Sequence, residues 1–266
     1  MPTVAVTKMH GTLNDFVVVD QRSSQLADLS AFARSVCDRR GSIGADGVLA
    51  ILPSANADAR VRVINADGGE AEMCGNGIRC VARFLSEAGS ADTLRIETLA
   101  GIIETAVVAK DDRGSYEIRE RMGVPRFEPR AIPFPDAAFV SMGNPHVVIF
   151  AAALDAIDLP AAGIQLQRDP AFAKGTNVHV AVRSGARRLD VRHWERGVGL
   201  THACGTGAVA CAAVAIVRGM VESPVEVYVP GGRLRVEWDG RGESYLTGPA
   251  VRAFDTSIEV ADAVLV

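Results

Sequence analysis

Two cysteines of this sequence lie in the same short motif, Cys74-Gly75-Asn76-Gly77 and Cys204-Gly205-Thr206-Gly207, 130 residues apart. Each motif opens a stretch with helical patterning, which predicts that each thiol lies at a helix N-terminus. The free N–H groups and the positive dipole end found there lower the pKa of a thiol and can hold an anion. Because glycine lets the backbone approach a ligand closely, a substrate carboxylate could lie against each thiol.

Two thiols on opposite faces of one carbon would suit the inversion of a stereocentre. One thiolate would remove the α-proton and the other thiol would deliver a proton, so that the pair titrates as a unit. The carbanion formed in between needs preorganised N–H donors in a closed site. Glycine-rich phosphate loops are an alternative, but the lysine of a P-loop and the spacing of a dinucleotide motif are missing. Cys37, Cys80 and Cys211 are interpreted as small buried hydrophobes.

The offset that relates the two motifs also relates other features of the chain, which predicts an internal duplication. Further pairs at this offset are Asn14 with Asn144, Gly47 with Asn177, Asn65 with Glu195, Gly89 with Gly219, and Gly101 with Gly231. Each half is interpreted as strand, strand, helix, strands, with a helix over 26–39 in the first half. Central helices are predicted over 75–88 and 205–218, and the second is apolar all round, which indicates burial by a curved sheet. Hairpins are predicted over 94–108 and 225–238.

Composition limits the classes of function. The 266 residues are 48% hydrophobic and 23% charged, as in ordinary globular proteins, and carry a net charge of −4 without a basic block. This charge argues against nucleic acid and anionic membranes as partners. The N-terminal residues do not resemble a signal peptide and no apolar run is long enough to span a bilayer, so a cytoplasmic protein is expected. Five cysteines without a Cys-x-x-Cys pair indicate free thiols rather than a disulfide scaffold or a metal site.

Polar residues near the two motifs predict a cavity that binds a zwitterion. They are Asn14, Asn65, Asn144, Asn177, Glu195 and Arg196. His146 could orient or deprotonate a thiol. The other histidines, His10, His179, His193 and His202, are interpreted as structural or surface residues.

Several segments together resemble diaminopimelate epimerases. They are Met9–Phe16, Asn65–Gly68, Ala71–Cys80, Gly143–His146, Gly175–Val178, Glu195–Gly197 and Ala203–Ala208. The resemblance implies a cofactor-independent epimerase that interconverts LL- and meso-diaminopimelate for lysine and peptidoglycan synthesis. It also implies an α/β (α+β) fold of two pseudosymmetric domains, each a curved mixed or antiparallel sheet around a central helix, with the active site in the cleft between them. The last strands would return to the first domain, so the domains are expected to be 1–122 with 253–266, and 123–252.

The resemblance also implies roles for individual residues. Cys74 and Cys204 would be the acid/base pair, and His146 and Glu195 would tune the thiols. Substrate would be held by Asn14, Asn65, Gly75, Asn76, Asn144, Asn177, Glu195, Arg196, Gly205 and Thr206. Many family members have a glutamine where this sequence has Gly47, so a different recognition of the distal end of the substrate is expected. No metal or cofactor is expected, and the chain is expected to form a homodimer.

Other functions remain open at this point. A racemase of another amino acid, of the histidine or proline type, could use the same scaffold, although proline racemases have different flanking motifs. An isomerase of an unsaturated acid is a more distant enzyme. A carboxylate-binding or thiol-redox protein would bind ligand or oxidise its thiols without exchanging an α-proton.

Overall fold

The computed structural model describes residues 3–23, 26–111 and 114–260, and they form two compact units. The first unit contains the described residues up to Glu120 and those from Pro249 to Val260. The second unit is Arg121–Gly248. The domain boundaries after residues 122 and 252 stay a prediction, and residues 1–2 and 261–266 of the expected first domain lie outside the described residues.

The first unit is a mixed sheet with a helix on each face. Its elements are β1 (Thr3–Gly11), β2 (Asn14–Asp20), α1 (Leu29–Val36), β3 (Gly47–Leu52), β4 (Ala59–Asn65), β5 (Glu70–Ala71), α2 (Gly75–Glu87), β6 (Thr93–Thr98), β7 (Gly101–Lys110) and β8 (Tyr116–Gly123). Strand β2 pairs with β3 in parallel and β3 with β4 antiparallel. On β3, Val48 and Ala50 pack with α1, and Leu49 and Ile51 pack on the face of α2. This alternation places α2 over the inner face of the sheet.

The second unit repeats this arrangement. Its elements are β9 (Arg126–Phe127), β10 (Ala137–Ser141), β11 (Pro145–Phe150), α3 (Leu159–Arg168), a 3-10 turn (Pro170–Phe172), β12 (Asn177–Gly185), β13 (Arg188–Glu195), β14 (Gly199–Thr201), α4 (Gly205–Val217), β15 (Val225–Val229), β16 (Gly232–Glu237) and β17 (Ser244–Glu259). The predicted crossover over 123–129 contains β9, which pairs with β10. The unit boundaries fall within β8 and within β17.

Strand register confirms the duplication. In the first unit Phe16 pairs with Gly47, and in the second His146 pairs with Asn177, each at the offset of 130. The antiparallel pair that follows has the same relation, because Val48 opposes Ile64 and Val178 opposes Trp194. Both predicted hairpins are present as β6–β7 and β15–β16. The mixed α/β fold predicted from the sequence is confirmed.

The central helices begin and end as the sequence predicts, to within one residue. Cys74 and Cys204 are the N-cap residues of α2 and α4 and have extended backbones. Gly89 and Gly219 follow the helices with φ of 94° and 67°, the left-handed conformation that favours glycine. Helix α4 is enclosed by apolar side chains from the sheet, as its composition indicated.

The prediction of α1 over 26–39 was too long at both ends. The Asp28 side chain accepts a hydrogen bond from the Ala31 N–H at 2.8 Å, so the helix begins after this N-cap. At the other end the Gly44 and Ala45 N–H groups donate to the Val36 and Cys37 carbonyls and stop the helix. Capping therefore overrode the apolar periodicity of the flanking residues.

Candidate active site

Cys74 lies at the first turn of α2, half-buried, where its thiol donates to Asn14 Oδ1 at 3.5 Å. Cys74 is the N-cap residue, and the N–H groups of the first turn of a helix point out of this end, where an anion can bind. Asn14 follows the tight turn between β1 and β2, in which Thr12 and Leu13 both have positive φ, 50° and 65°. Such backbone strain in residues other than glycine is typical of functional sites.

The orientation of Asn14 is determined by its neighbours. Asn76 Nδ2 donates to Asn14 Oδ1 at 3.3 Å, and Asn14 Nδ2 donates to Asp46 Oδ2 at 2.7 Å. The other end of the Asn76 amide accepts from Thr12 Oγ1 at 3.0 Å and from Arg79 Nη2 at 2.5 Å. The amide oxygen of Asn14 therefore faces the thiol, and this hydrogen bond requires Cys74 to be protonated.

A buried ion pair between Arg79 and Glu120 contacts Asn76 of this hydrogen-bonded cluster. Arg79 and Glu120 are both almost inaccessible, at 0% and 1% exposure, and pair at 2.5 Å. Burial raises the pKa of Glu120, and the neighbouring Arg79 opposes the rise. The second oxygen of Glu120 is buried without a hydrogen-bond partner among the described residues. A Cβ at Gly75 would lie 3.2 Å from that oxygen, so the absence of a side chain at Gly75 lets the helix approach Glu120.

Cys204 begins α4 in the same way but is fully buried. Burial raises the pKa of its thiol, and the nearby Glu195 carboxylate raises it further. The Thr206 hydroxyl, 3.6 Å from Sγ, and the Gly207 N–H oppose this rise. Burial also raises the pKa of Glu195, which the Thr201 and Cys204 side chains partly offset. A carboxylate of raised pKa beside a thiol is suited to take up its proton.

His146 is buried and hydrogen bonded on both ring nitrogens. Nε2 lies 2.8 Å from Asn144 Oδ1, and Nδ1 lies 2.8 Å from His179 Nε2. The Asn144 amide in turn donates to Thr206 Oγ1 at 3.5 Å. His193 Nδ1 lies 2.8 Å from His179 Nδ1, which extends the row of rings. Burial lowers the pKa of His146 and of His193 to about 3, and that of His179 well below its ordinary value, so all three rings are neutral near pH 7.

Asn177 and Arg196 are joined at the ends of β12 and β13. Asn177 Nδ2 donates to the Pro145 carbonyl at 3.0 Å, and its Oδ1 accepts from the Arg196 N–H at 2.9 Å. The Arg196 guanidinium donates to the Lys174 carbonyl at 3.0 Å. Asn177 is buried and Arg196 exposed, so the pair fixes a backbone corner beside Glu195 and leaves the guanidinium accessible.

Comparison with known proteins identifies the family. The diaminopimelate epimerase family model matches residues 6–128 and 138–253. A diaminopimelate epimerase of Desulforudis audaxviator is 44% identical over 94% of this chain and 97% of its own length. One of Erythrobacter litoralis is 41% identical over 97% of this chain and 98% of its own length. This chain belongs to the diaminopimelate epimerase family. The sequence-based expectation of an isomerase of this family is thereby confirmed.

Solved structures support the fold of this diaminopimelate epimerase family member. A crystal structure of a Bacillus anthracis phenazine biosynthesis protein of the PhzF family superposes with a TM-score of 0.77, at 18% identity over 98% of this chain and 100% of that chain. At this identity the likeness concerns the fold alone. No helix among the described residues is both long and apolar enough to cross a membrane.

The structure brings most of the predicted site residues into two clusters, one in each unit. Asn14, Cys74 and Asn76 form the first through direct hydrogen bonds. The second lies around Cys204 and contains Asn144, His146, Glu195 and Thr206, with Asn177 and Arg196 at the strand ends. Gly75 and Gly205 open the two helices.

Asn65 and Gly47 lie opposite each other on β4 and β3. The Asn65 side chain is exposed, and its backbone N–H donates to the Gly69 carbonyl at 2.7 Å. A Cβ at Gly47 would lie 2.6 Å from the Ile64 carbonyl oxygen. In this backbone conformation a side chain at Gly47 would require the Ile64 carbonyl to move, so position 47 offers no side chain to a substrate.

Four residues that were not predicted from the sequence contact the predicted site residues or each other in the buried part of the two clusters. They are Arg79, Glu120, His179 and His193. The two histidines are buried members of the ring row, whereas the sequence predicts structural or surface residues without a connection to the site. The offset of 130 carries a signal that could have found them, because it aligns His146, His179 and His193 with the apolar residues Phe16, Leu49 and Val63.

Proposed function

We propose that this protein epimerises LL- and meso-diaminopimelate by a two-base mechanism in which Cys74 and Cys204 act on opposite faces of one α-carbon. The observation that carries the proposal is the pair of equivalent cysteines, each at the N-terminus of a central helix in its own unit. One thiolate takes the α-proton, and its S–H bond forms as the C–H bond breaks. The other thiol gives its proton to the carbanion from the opposite face, which inverts the centre and leaves the second sulfur as thiolate.

The helix N-termini supply the electrostatic part of the mechanism. We assign the N–H groups at Gly75, Asn76, Gly205 and Thr206 to the reacting carboxylate, whose negative charge grows as the carbanion forms. Preorganised N–H donors in a closed site commonly provide the largest single contribution to such a reaction. These N–H groups lie in the first turns of α2 and α4, where helix geometry directs the backbone donors out of the helix end.

Two acidic or basic side chains complete the proposed acid/base machinery. Glu195, whose pKa is raised by burial, is the group that takes and returns the proton of Cys204. His146 is assigned to tuning the thiols. Substrate recognition is assigned to five further residues, which would bind the ammonium groups and the distal end of the substrate: Asn14, Asn65, Asn144, Asn177 and Arg196.

We further propose that the units correspond to functional domains with the substrate in the cleft between them. We also propose that the protein forms a homodimer and that it acts in the cytoplasm in lysine and peptidoglycan precursor synthesis.

The decisive experiment is the incubation of the purified protein with LL-diaminopimelate in D₂O without added cofactor. At early times we expect deuterium at the inverted α-carbon of the meso product, while the remaining LL substrate stays unlabelled. This pattern results because the base that keeps the abstracted proton differs from the acid that delivers solvent deuterium. Deuterium in both isomers from the start would indicate a single base, and no exchange at all would overturn the proposal.

Matched cysteine variants test the two roles. Cys74→Ala and Cys204→Ala should each lower epimerisation by at least about 10³-fold, since each direction needs both a base and an acid. Cys80→Ala and Cys211→Ala are the controls, because these thiols are buried in the same two helices away from the first turn. They should keep the activity of folded protein. The same exchange assay with histidine and proline separates the racemase alternatives.

A further inference from the structure

A row of buried histidines connects the interior of the second unit to the thiol of Cys204. Its members come from neighbouring strands, with His146 on β11, His179 on β12 and His193 on β13, and all three rings are inaccessible. His179 and His193 are direct register partners. His179 lies in the middle, with one ring nitrogen 2.8 Å from His146 and the other 2.8 Å from His193, so the three rings do not converge on one point. No group of His, Cys, Asp or Glu that could hold a metal occurs among the described residues.

The duplicated fold shows that packing alone does not require these histidines. The equivalent residues of the first unit are Phe16, Leu49 and Val63, which are buried and apolar on the face of α2. The helix contact is also equivalent: a Cβ at Gly77 would meet Leu49 Cδ2 at 2.8 Å, and one at Gly207 would meet His179 Cε1 at 2.5 Å. The same fold is therefore built with an apolar row in one unit and an imidazole row in the other.

Hydrogen-bond chemistry gives the row a direction. Asn144 Oδ1 can only accept, so His146 Nε2 carries the proton and its Nδ1 must accept. His179 Nε2 then donates to His146, and its own Nδ1 accepts from His193 Nδ1–H. The lowered pKa values of all three rings agree with one proton on each ring.

The direction continues to the sulfur atom. Because Asn144 Nδ2 donates to Thr206 Oγ1, the Thr206 hydroxyl proton is left for Cys204 Sγ, 3.6 Å away. Each donor thus points toward the thiol, and a hydroxyl that donates to sulfur favours the thiolate. At the far end, His193 Nε2 is buried without a hydrogen-bond partner among the described residues, as expected for the acceptor that this direction leaves unpaired.

We propose that His179 and His193 are positioning residues that hold His146 as its Nε2–H tautomer and, through Asn144 and Thr206, direct a hydrogen bond to Cys204 that favours its thiolate. The proposal rests on the roles assigned above to Cys204 and His146. No proton moves along the row; its residues act by fixing which atoms donate. The row is positioned to oppose the two influences that disfavour the thiolate, which are burial and the Glu195 carboxylate.

The charged or polar groups that act on Cys204 and His146 come from β12, β13, α4 and Arg196. Glu195 at the end of β13 acts on Cys204, and the Gly207 N–H of α4 acts in the opposite sense. His179 and His193 contribute from β12 and β13, and the positive charge of Arg196, which follows β13, lowers the pKa of His146. None of the variants below changes Glu195 or Arg196, so their influence is common to every protein compared.

The first test reads the tautomers directly. Nitrogen NMR of the full-length protein labelled in its histidine rings, with signals assigned by substitution, should show protons on Nε2 of His146, Nε2 of His179 and Nδ1 of His193. Protons on Nδ1 of His146, Nδ1 of His179 and Nε2 of His193 would mean the reverse direction and would overturn the proposal. This measurement needs no activity, so it is independent of whether the proposed function is right.

The second test exchanges residues with the first unit. His179→Leu and His193→Val install the side chains of the equivalent positions and should fold, because the first unit packs them in the same way. In His179→Leu we expect kcat/KM for diaminopimelate epimerisation to fall about tenfold near neutral pH and its acidic limb to move to higher pH. His193→Val should change both in the same direction and by less, since it is one residue further from His146.

A core variant distinguishes positioning from stability. Val191 lies on β13 two residues before His193 and packs on α4 without joining the histidine row. Val191→Ala should lower thermal stability while the acidic limb stays in place. A lower rate for His179→Leu with an unmoved limb would show a merely structural role and would overturn the proposal, as would wild-type rates in both histidine variants. Failure of the wild-type protein to epimerise diaminopimelate would instead reject the proposed function.

Discussion

Two equivalent asparagines orient the two thiol sites through different partners. The Asn14 oxygen accepts from Cys74, while Asn144 presents its oxygen to His146 and its nitrogen to Thr206. Position 76 is asparagine in one unit, and its equivalent 206 is threonine in the other. At the scale of single residues, duplication has therefore kept an amide at the equivalent position of each unit and changed which groups it contacts.

Asn14→Asp tests the electrostatic role of this amide. It places a carboxylate 3.5 Å from the Cys74 sulfur and close to Asp46, and a like charge raises the pKa of a thiol. We expect kcat/KM to fall by about 10²-fold and its acidic limb to move to higher pH. Asn56→Asp, an exposed residue, makes the same change in net charge and is the control. Equal pH profiles for Asn14→Asp and wild type would contradict this role.

Gly207 tests how closely α4 approaches the sheet. A Cβ there would lie 2.5 Å from the His179 ring, so either the helix or the ring must move. We expect Gly207→Ala to lower the free energy of unfolding by about 1–3 kcal/mol, as overpacking does in cores. At Gly41 a new Cβ would come no nearer than 3.4 Å to the end of the Asp38 side chain, so Gly41→Ala should change stability by less than about 0.5 kcal/mol. Urea unfolding of both variants measures the difference.

At the scale of elements, the helices show which parts of the fold could be predicted. Cys-Gly-x-Gly at the start and glycine after the end delimit α2 and α4 in the sequence, and the structure agrees to within one residue. The ends of α1 were missed because Asp28 caps the helix at a point where the apolar pattern does not change. Helix ends marked by Cys-Gly-x-Gly or by a following glycine were predictable from the sequence. The ends of α1 were not, because an N-cap residue and the apolar periodicity indicate different boundaries there.

Helix α3 provides a test of capping away from the thiols. The Asp158 side chain accepts from the Ala161 N–H at 3.0 Å, and proline follows at the start of the helix. Asp158→Ala should lower the free energy of unfolding by about 1 kcal/mol, whereas Asp158→Asn, an equally good N-cap, should leave it almost unchanged. Denaturant unfolding measures both. The helix packs on the face of the sheet away from α4, so kcat/KM of folded protein should stay at the wild-type value. An equal loss in both variants would show that charge rather than capping is responsible.

At the scale of the whole chain, the duplication was predictable because one offset served many positions, and the register of the strands confirms it. The polar residues behind the thiols were not predictable, because they depend on which strands lie side by side. Arg79 and Glu120 are 41 residues apart, and His146 and His179 are 33 apart, so only the folded sheet joins them. Sequence comparison between the halves does show where the second unit replaces an apolar row with histidines, although it does not show that their rings meet.

The buried histidines also predict how the stability of the protein depends on pH. Burial lowers the pKa of His146 and His193 to about 3 and that of His179 well below its ordinary value, whereas unfolded histidine titrates near 6.5. Between about pH 6.5 and 3 the unfolded chain therefore binds protons that the folded chain does not, and the free energy of unfolding falls as pH decreases. Each histidine contributes up to about 1.4 kcal/mol per pH unit in this window. The lowered pKa of Asp15, which its ion pairs with Arg39 and Lys8 cause against the effect of burial, adds a loss only below about pH 4.

The double variant His179→Leu, His193→Val isolates this contribution. It removes two of the three buried rings and replaces them with apolar groups, a change that leaves His146 Nδ1 without its donor but no unpaired group between positions 179 and 193. Urea unfolding midpoints between pH 7 and 4 should fall more slowly with acid in the double variant than in wild type, so that the variant becomes the more stable protein near pH 5. His10 and His202 are unchanged in both proteins and cancel in the comparison. Parallel midpoint curves would mean that the histidine rings are protonated in the folded protein, which is incompatible with the neutral row on which the direction of the hydrogen bonds depends.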